Sequence, residues 1–218
     1  MPDDKSIRVS WFGQAMFLVE GGGTAVVVDP TPPETGYVYS PVRADVVLVT
    51  HSHFDHSYLE GVEGSPVVVD GGGARTVGAI EVRGYDTWHD TAGGEERGPN
   101  IAYVWKQGGL KLGHLGDLGH APRGETLEAL RGLDVLMVPA GGVFTIDAAE
   151  AAALVEQLKP RVALPMHFGT PDCTIPVRPV DDFKDAYAGK VLEVTERPVE
   201  MTAGSLPSGT EVWVLPYR

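Results

Sequence analysis

A single cysteine, Cys173, stands in 218 residues, so no internal disulfide can form, and such sparing use fits a reducing cytoplasm. The opening residues, Met1-Pro2-Asp3-Asp4-Lys5, lack the basic and apolar regions of a secretion signal, and cytoplasmic localisation is expected. No apolar run approaches the ~20 residues of a membrane span. Basic residues are scarce: 17 Lys and Arg against 30 Asp and Glu give a formal charge of −13, and no three basic residues cluster. Polyanion binders carry basic patches or stripes, so nucleic acid is not expected as a partner, and a small-molecule substrate is. No low-complexity stretch or linker divides the chain. With 43% hydrophobic residues, it reads as one domain over 1–218, long enough to bury about 70% of its unfolded surface. Nothing marks a surface for self-association, and a homo-oligomer stays open.

What the chain does have is a cluster. Thr50-His51-Ser52-His53-Phe54-Asp55-His56 follows the short apolar run Val46-Val47-Leu48-Val49. Neutral imidazole is a common metal ligand, and carboxylate complements it for zinc and similar divalent cations. His51 and His53, two apart on extended chain, point the same way. Asp55 and His56 follow as the chain turns and can face the same cavity from a second side, which suits two adjacent metals better than one. A lone histidine in such a place would cap the strand or line a polar loop.

Four histidines remain. His167 closes the apolar run Val162 to Met166 as His51 closes the first, and active residues of layered α/β proteins gather at the carboxyl ends of strands. His89 precedes a glycine-rich loop from Gly93 to Gly98. Asp117 follows a hairpin predicted over Ile101–Lys106 and Leu110–Leu115, with Gln107-Gly108-Gly109 as its turn. Gly116 beside it lets the backbone bend sharply, and Asp117 there can bridge two cations. His114 reads as a supporting or structural residue, His120 as a surface one, and Cys173 as a packed thiol.

The pattern resembles the metallo-β-lactamase superfamily. Its His-x-His-x-Asp-His hallmark stands at His51, His53, Asp55 and His56, followed in order by His89, Gly116-Asp117 and His167, and the resemblance spans roughly residues 7 to 170. Within the superfamily the chain is similar to the small hydrolases near ascorbate-6-phosphate lactonase and the phospholipase D acting on N-acyl ethanolamine phospholipids. The segments concerned are His89-Asp90 with Arg97-Gly98-x-Asn100, His114 to Gly119, and Pro165 to Thr170. The resemblance implies a four-layer αββα sandwich. It also implies that His51, His53 and His89 hold one metal and Asp55, His56 and His167 the other, with Asp117 and a hydroxide bridging them. No glutamate stands among these ligands, which argues against the oxygen-reducing di-iron branch. No cysteine does either, so the thiolate-containing lactamase site is not reproduced. Two divalent ions are expected, Zn2+ first, with Mn2+ or Fe2+ as alternatives at an all-His/Asp site.

Hydroxide between two such ions would attack a small ester, lactone or cyclic amide, with Asp55 or Asp117 orienting the water or relaying its proton. A phosphodiesterase keeps the same metals and changes the centre attacked; a metal-occupied binding or sensing protein without turnover is the other alternative. Arg97 is the expected contact for a substrate anion and Arg178 a second. Asp86 and Asp90 are candidate partners for the free N–H of His89. Gly141-Gly142 could offer backbone donors to substrate, and Trp88 and Phe168 could wall the site.

The apolar runs also outline the fold. Strands are expected over Ile7–Val19, Thr24–Val28, Val46–Val49, Val67–Val69, Val77–Val82, Asp134–Val138, Arg161–His167 and Val212–Leu215. Helices are expected over Glu125–Arg131, from an Asp147 cap to Leu158 before Pro160, and over Asp181–Ala188. Asp45–Thr50 and Asp134–Pro139 look alike, which fits two similar αβ halves.

Overall fold

Ile7, Val9 and Trp11 alternate with Ser6, Arg8 and Ser10, and all three apolar side chains are buried on one face of the first strand. A computed structural model describes residues 5–218. Its first sheet contains β1 (Ser6–Trp11), β2 (Phe17–Gly21), β3 (Thr24–Val28), β5 (Val46–Leu48) and β7 (Val67–Val69), with β15 (Val199–Thr202) beside β1. A separate two-stranded ladder pairs β4 (Val42–Arg43) with β6 (Val62–Glu63). The second sheet begins with β8 (Gly73–Val77), β9 (Ile80–Trp88), β10 (Pro99–Gln107) and β11 (Leu110–His114). It continues through β12 (Val135–Pro139), β13 (Val162–Met166), β16 (Glu211–Val214) and β14 (Lys190–Glu193). The helices are α1 (Gly124–Ala129), α2 (Ala148–Leu158) and α3 (Val180–Ala186). None of them is long and apolar enough to cross a membrane.

Both sheets share one plan. Antiparallel strands run up to β3 and to β11, and parallel neighbours follow, β5 and β7 in one sheet and β12 and β13 in the other. Parallel strands covered on both faces read as unbroken apolar runs, and β5, β12 and β13 are buried at every position. Inner-facing Val26, Val28, Val46 and Leu48 join the main core. Outer-facing Val27 and Val47 form a smaller cluster with Met16, Ala44 and Val49.

This is the αββα sandwich of the metallo-β-lactamase type, with unequal outer layers. Over the second sheet lies α2, whose Ala151, Leu154, Val155 and Leu158 are buried, packed beside α3. Over the first sheet the small cluster is covered by Val42 and Val62 of the β4–β6 ladder, with Phe12 and Tyr39.

Two expectations need correction. The strand expected over Ile7–Val19 is two strands, parted by a turn in which Phe12 N–H donates to the Met16 carbonyl and Met16 N–H to that of Gly13. Gly13 adopts φ +97, and a β-carbon there would lie 2.2 Å from the Tyr37 ring, so the turn requires glycine. Val77–Val82 is a hairpin, because Val77 pairs with Ile80 across a turn at left-handed Gly78; apolar residues on both sides hide it from a periodicity count. Strands β4, β6, β14 and β15 had no expectation, being short or largely exposed. The hairpin from Pro99 to His114 turns at Gly108-Gly109, both at positive φ as a two-residue turn demands.

Helix α2 starts at a capping box: Glu150 N–H donates to Asp147 Oδ1 at 2.8 Å, and Asp147 N–H to Glu150 Oε2 at 2.9 Å. Asp147→Ala should therefore destabilise the fold by about 1 kcal/mol, read as a lower urea midpoint at unchanged slope.

Candidate metal centre

Strand ends build this centre. His51 follows β5, His89 follows β9, Asp117 lies three residues past β11, and His167 follows β13. His53, Asp55 and His56 come from the turn after His51, where His56 N–H donates to the His53 carbonyl. All seven residues expected as ligands converge, and they fall into three overlapping groups: His51, His53 and His89; His51, His56 and Asp117; and Asp55, His56 and His167. Donor atoms within a group lie within 4.8 Å of one another. Asp117 Oδ2 sits at the hub, 3.0 Å from His89 Nε2, 3.1 Å from His167 Nε2, 3.3 Å from His56 Nε2 and 4.0 Å from His51 Nε2.

Hydrogen bonds behind the ligands fix which nitrogen faces inward. Thr50 Oγ1 gives its proton to Asp29 Oδ2 at 2.7 Å, so it accepts from His51 Nδ1–H at 2.9 Å. His56 Nδ1–H donates to Asp29 Oδ2 at 2.8 Å, and His89 Nδ1–H to the Phe144 carbonyl at 3.0 Å. In the neutral rings all three Nε2 atoms thus turn lone pairs toward a carboxylate, and His51 Nε2 also lies 3.1 Å from His53 Nδ1. Lone pairs facing lone pairs repel unless positive charge lies between them. His56 Nε2 and Asp117 Oδ1 are moreover buried with no hydrogen-bond partner. The donor set fits divalent cations bound by imidazole and carboxylate.

The electrostatics agree. Burial raises the Asp117 pKa, but His167 and His56 outweigh it and hold the carboxyl well below the usual range. Burial likewise opposes ionisation of Asp55 and Asp29, and His56 prevails at both. Burial disfavours the charged form of His56, yet Asp117 and Asp29 raise its pKa well above the ordinary value. His51, whose ring centre lies 4.2 Å from that of His56, is driven the other way, to about 3, by burial and by the His56 charge. Burial opposes charge on His89 as well, but Asp117 prevails and raises its pKa, so the pocket draws positive charge to more than one ring.

The framework is tight. Gln14, Asp29 and His167 all adopt left-handed backbone at φ 49, 47 and 53, conformations that cost of order 1–3 kcal/mol each and persist where surroundings impose them. Gln14 Nε2 donates to Asp55 Oδ2 at 2.8 Å, and its carbonyl accepts from His167 N–H at 2.9 Å. A β-carbon on Gly141 would stand 2.1 Å from the His167 carbonyl oxygen. Asn100 Oδ1 accepts from Asp117 N–H at 2.9 Å, which sets the approach of the hub carboxylate.

Sequence reasoning missed Asp29 and Gln14. Asp29 ends the run Ala25–Val28 just as His51 ends its own, so the rule used for histidine would have found it. Gln14 had no signal beyond the Gly13 that breaks an apolar run. Several expected helpers stand elsewhere. The His89 N–H goes to Phe144, not to Asp86 or Asp90; Asp90 instead accepts from the backbone N–H of Ala92, Gly94, Glu96 and Arg97. His114 Nε2–H donates to the Ala15 carbonyl while its Nδ1 accepts from Gly116 N–H, a structural role. Half-buried His120 accepts from Trp88 N–H at 3.1 Å. Cys173 bonds the Ile175 carbonyl, and Arg178 is paired with Asp182. Trp88 lines a different hollow, and Phe168 packs on Trp11.

A cleft of about 410 Å³ opens onto the ligands, lined by Phe54, Phe144, Ile175 and Pro176 together with Glu96 and Arg97. Half-buried Arg97 sits at its rim with its guanidinium 5.9 Å from the Phe144 ring centre.

Fold and ligand geometry together define a class, and the chain belongs to the metallo-β-lactamase superfamily: its β-lactamase superfamily domain matches residues 8–167. More narrowly, the chain is similar to the UPF0173 metal-dependent hydrolases. It is 32% identical to the one from Methanopyrus kandleri over 75% of this chain and 85% of that one. A UPF0173 protein from Pyrococcus furiosus is 35% identical, over 75% and 84%. A Thermotoga maritima structure, provisionally named a Zn-dependent hydrolase of the metallo-β-lactamase superfamily, superposes with TM-score 0.78 at 33% identity, covering 96% of this chain and 98% of that one.

Two outcomes follow. Asp29→Asn should weaken metal affinity roughly tenfold to a hundredfold with the fold retained, measured by chelator competition. Burial raises the Asp90 pKa, but its four backbone donors outweigh this and hold it at about 2, below the usual carboxylate range. The loop's protection should then be complete above pH 4 and lost as pH falls toward 2. Asp90→Ala should speed amide exchange at residues 92–97 at neutral pH.

Proposed function

We propose that this metal-dependent hydrolase is binuclear and cleaves a small ester, lactone or related carbonyl substrate. The observation that carries the reading is the convergence of three fixed Nε2 lone pairs on Asp117, whose second oxygen is buried and unpartnered. His51, His53 and His89 form one nest, Asp55, His56 and His167 the other, and Asp117 serves both. Divalent cations held there, Zn2+ foremost with Mn2+ or Fe2+ as alternatives, supply a water of lowered pKa and polarise the scissile group.

The chain's own residues do the rest. Asp117 and Asp55 stay ionised, so each is an acceptor that can hold and orient a water near the reacting atoms. Gln14 ties up one oxygen of Asp55 and thereby orients the other. The Arg97–Glu96 contact, 3.7 Å and largely exposed, is weak, so Arg97 is available to a carbonyl or anionic group of the substrate. Phe54, Phe144, Ile175 and Pro176 give the cleft apolar walls, and Arg97 is the one cationic side chain among its lining residues apart from histidine. That lining suits a small substrate with apolar groups and at most one negative charge, which a phosphodiester also meets, so the alternative of a phosphodiesterase is separated by the substrate panel.

Metal analysis with anomalous scattering should find two ions per chain. Asp55→Ala and Asp117→Ala should each lower kcat at least about a hundredfold on lactones and esters with the fold intact. Two bound ions without turnover over a wide panel would instead leave a binding or sensing role. Phe54→Ala should raise KM roughly tenfold at unchanged metal content, as loss of an apolar wall requires.

A further inference from the structure

We infer that a second cleft, joined to the metal centre through the Gly13-Gln14 turn, is a ligand site for a small ring-bearing anion: a flat apolar ring carrying a carboxylate or phosphate. The cleft measures about 540 Å³, and its lining includes Phe12, Tyr37, Tyr39, Tyr217, Asp172 and Arg197.

Arg197 is the unusual member. Its guanidinium carbon lies 4.1 Å from the Phe12 ring centre, in cation–π contact. A guanidinium offers five N–H donors in a fixed fork, yet no acceptor among the described residues takes any of them, and Nε is buried without a partner. A buried unpaired donor is unfavourable, most of all in a chain of charge −13 with carboxylates to spare. An anion of fork-matching geometry would pair with Nη1 and Nη2, which no acceptor among the described residues takes. The neighbouring acid does not oppose this, because Asp172 is engaged by Arg218.

The aromatic residues set the remainder of the ligand. Tyr39 stands edge-on to Phe12 at 5.3 Å, and Tyr217 edge-on to Tyr37 at 5.2 Å, so aromatic side chains make up much of the cleft wall. The same parts serve the metal centre. Gly13 makes room for the Tyr37 ring, Gln14 reaches Asp55, and Tyr37 Oη accepts from Thr170 Oγ1 three residues past His167.

Titration calorimetry on the metal-loaded protein tests the site, with benzoate and phenyl phosphate as probes and benzamide and inorganic phosphate as controls. The expected result is one saturable site for at least one of the two probes, at least tenfold tighter than for its control. Affinity should fall at least tenfold in Arg197→Gln and stay weakened in Arg197→Lys, which keeps the charge but loses the fork, with near-ultraviolet dichroism unchanged in both. It should be retained in Asp55→Asn, which separates this cleft from the metal ions. No saturation in the millimolar range, equal affinity for the controls, indifference to Arg197→Gln, or loss in Asp55→Asn would overturn the inference. None of these results depends on turnover, so failure of the hydrolase reading would show separately.

Discussion

The Asp29 carboxylate is the constraint on which the centre depends. Fully buried, it accepts from Thr50 N–H, from Thr50 Oγ1 and from His56 Nδ1–H, and through Thr50 it also governs His51. One carboxylate thereby sets the tautomers of two imidazoles at either end of one turn. Burying a charge is costly unless it is paired and hydrogen-bonded, and here the same bonds that satisfy Asp29 aim the ligands. Its own left-handed backbone stores some strain, held by the sheet on either side.

The candidate ligands come from both sheets: His51, His53, Asp55 and His56 from the first, His89, Asp117 and His167 from the second. Cations gripped from both sides would hold the halves together at the open end of the sandwich. The first sheet has the thinner outer layer, a two-stranded ladder and a few large side chains, so this grip matters most there.

The candidate ligand residues were legible in the sequence because histidine and aspartate at the ends of apolar strands have little structural use. The parallel strands β5, β12 and β13 were legible for the same physical reason, burial on both faces, and the Asp147 cap and Pro160 framed α2. What stayed hidden was tertiary. The Gly13-Gln14 turn lies inside an apolar run whose period does not change, and the turn at Gly78 is flanked by the apolar Val77 and Ile80. Phe144 serves His89 through a carbonyl, which any residue type possesses, so no residue identity could announce it. Phe54 and Phe144 as walls, in place of Trp88 and Phe168, depended on how loops fold back over the strand ends.

The likeness of Asp45–Thr50 to Asp134–Pro139 takes on meaning at their far ends. Both runs become central parallel strands that finish near the centre, β5 with His51 and β12 with Pro139, Ala140 and Gly141. One twin delivers chemistry and the other delivers emptiness, since Gly141 must carry no side chain if the His167 carbonyl is to pass beside it. In a scaffold of two related halves, function then rests on asymmetry: a position can be essential for the atoms it leaves out, although nothing about it would mark it as part of an active site.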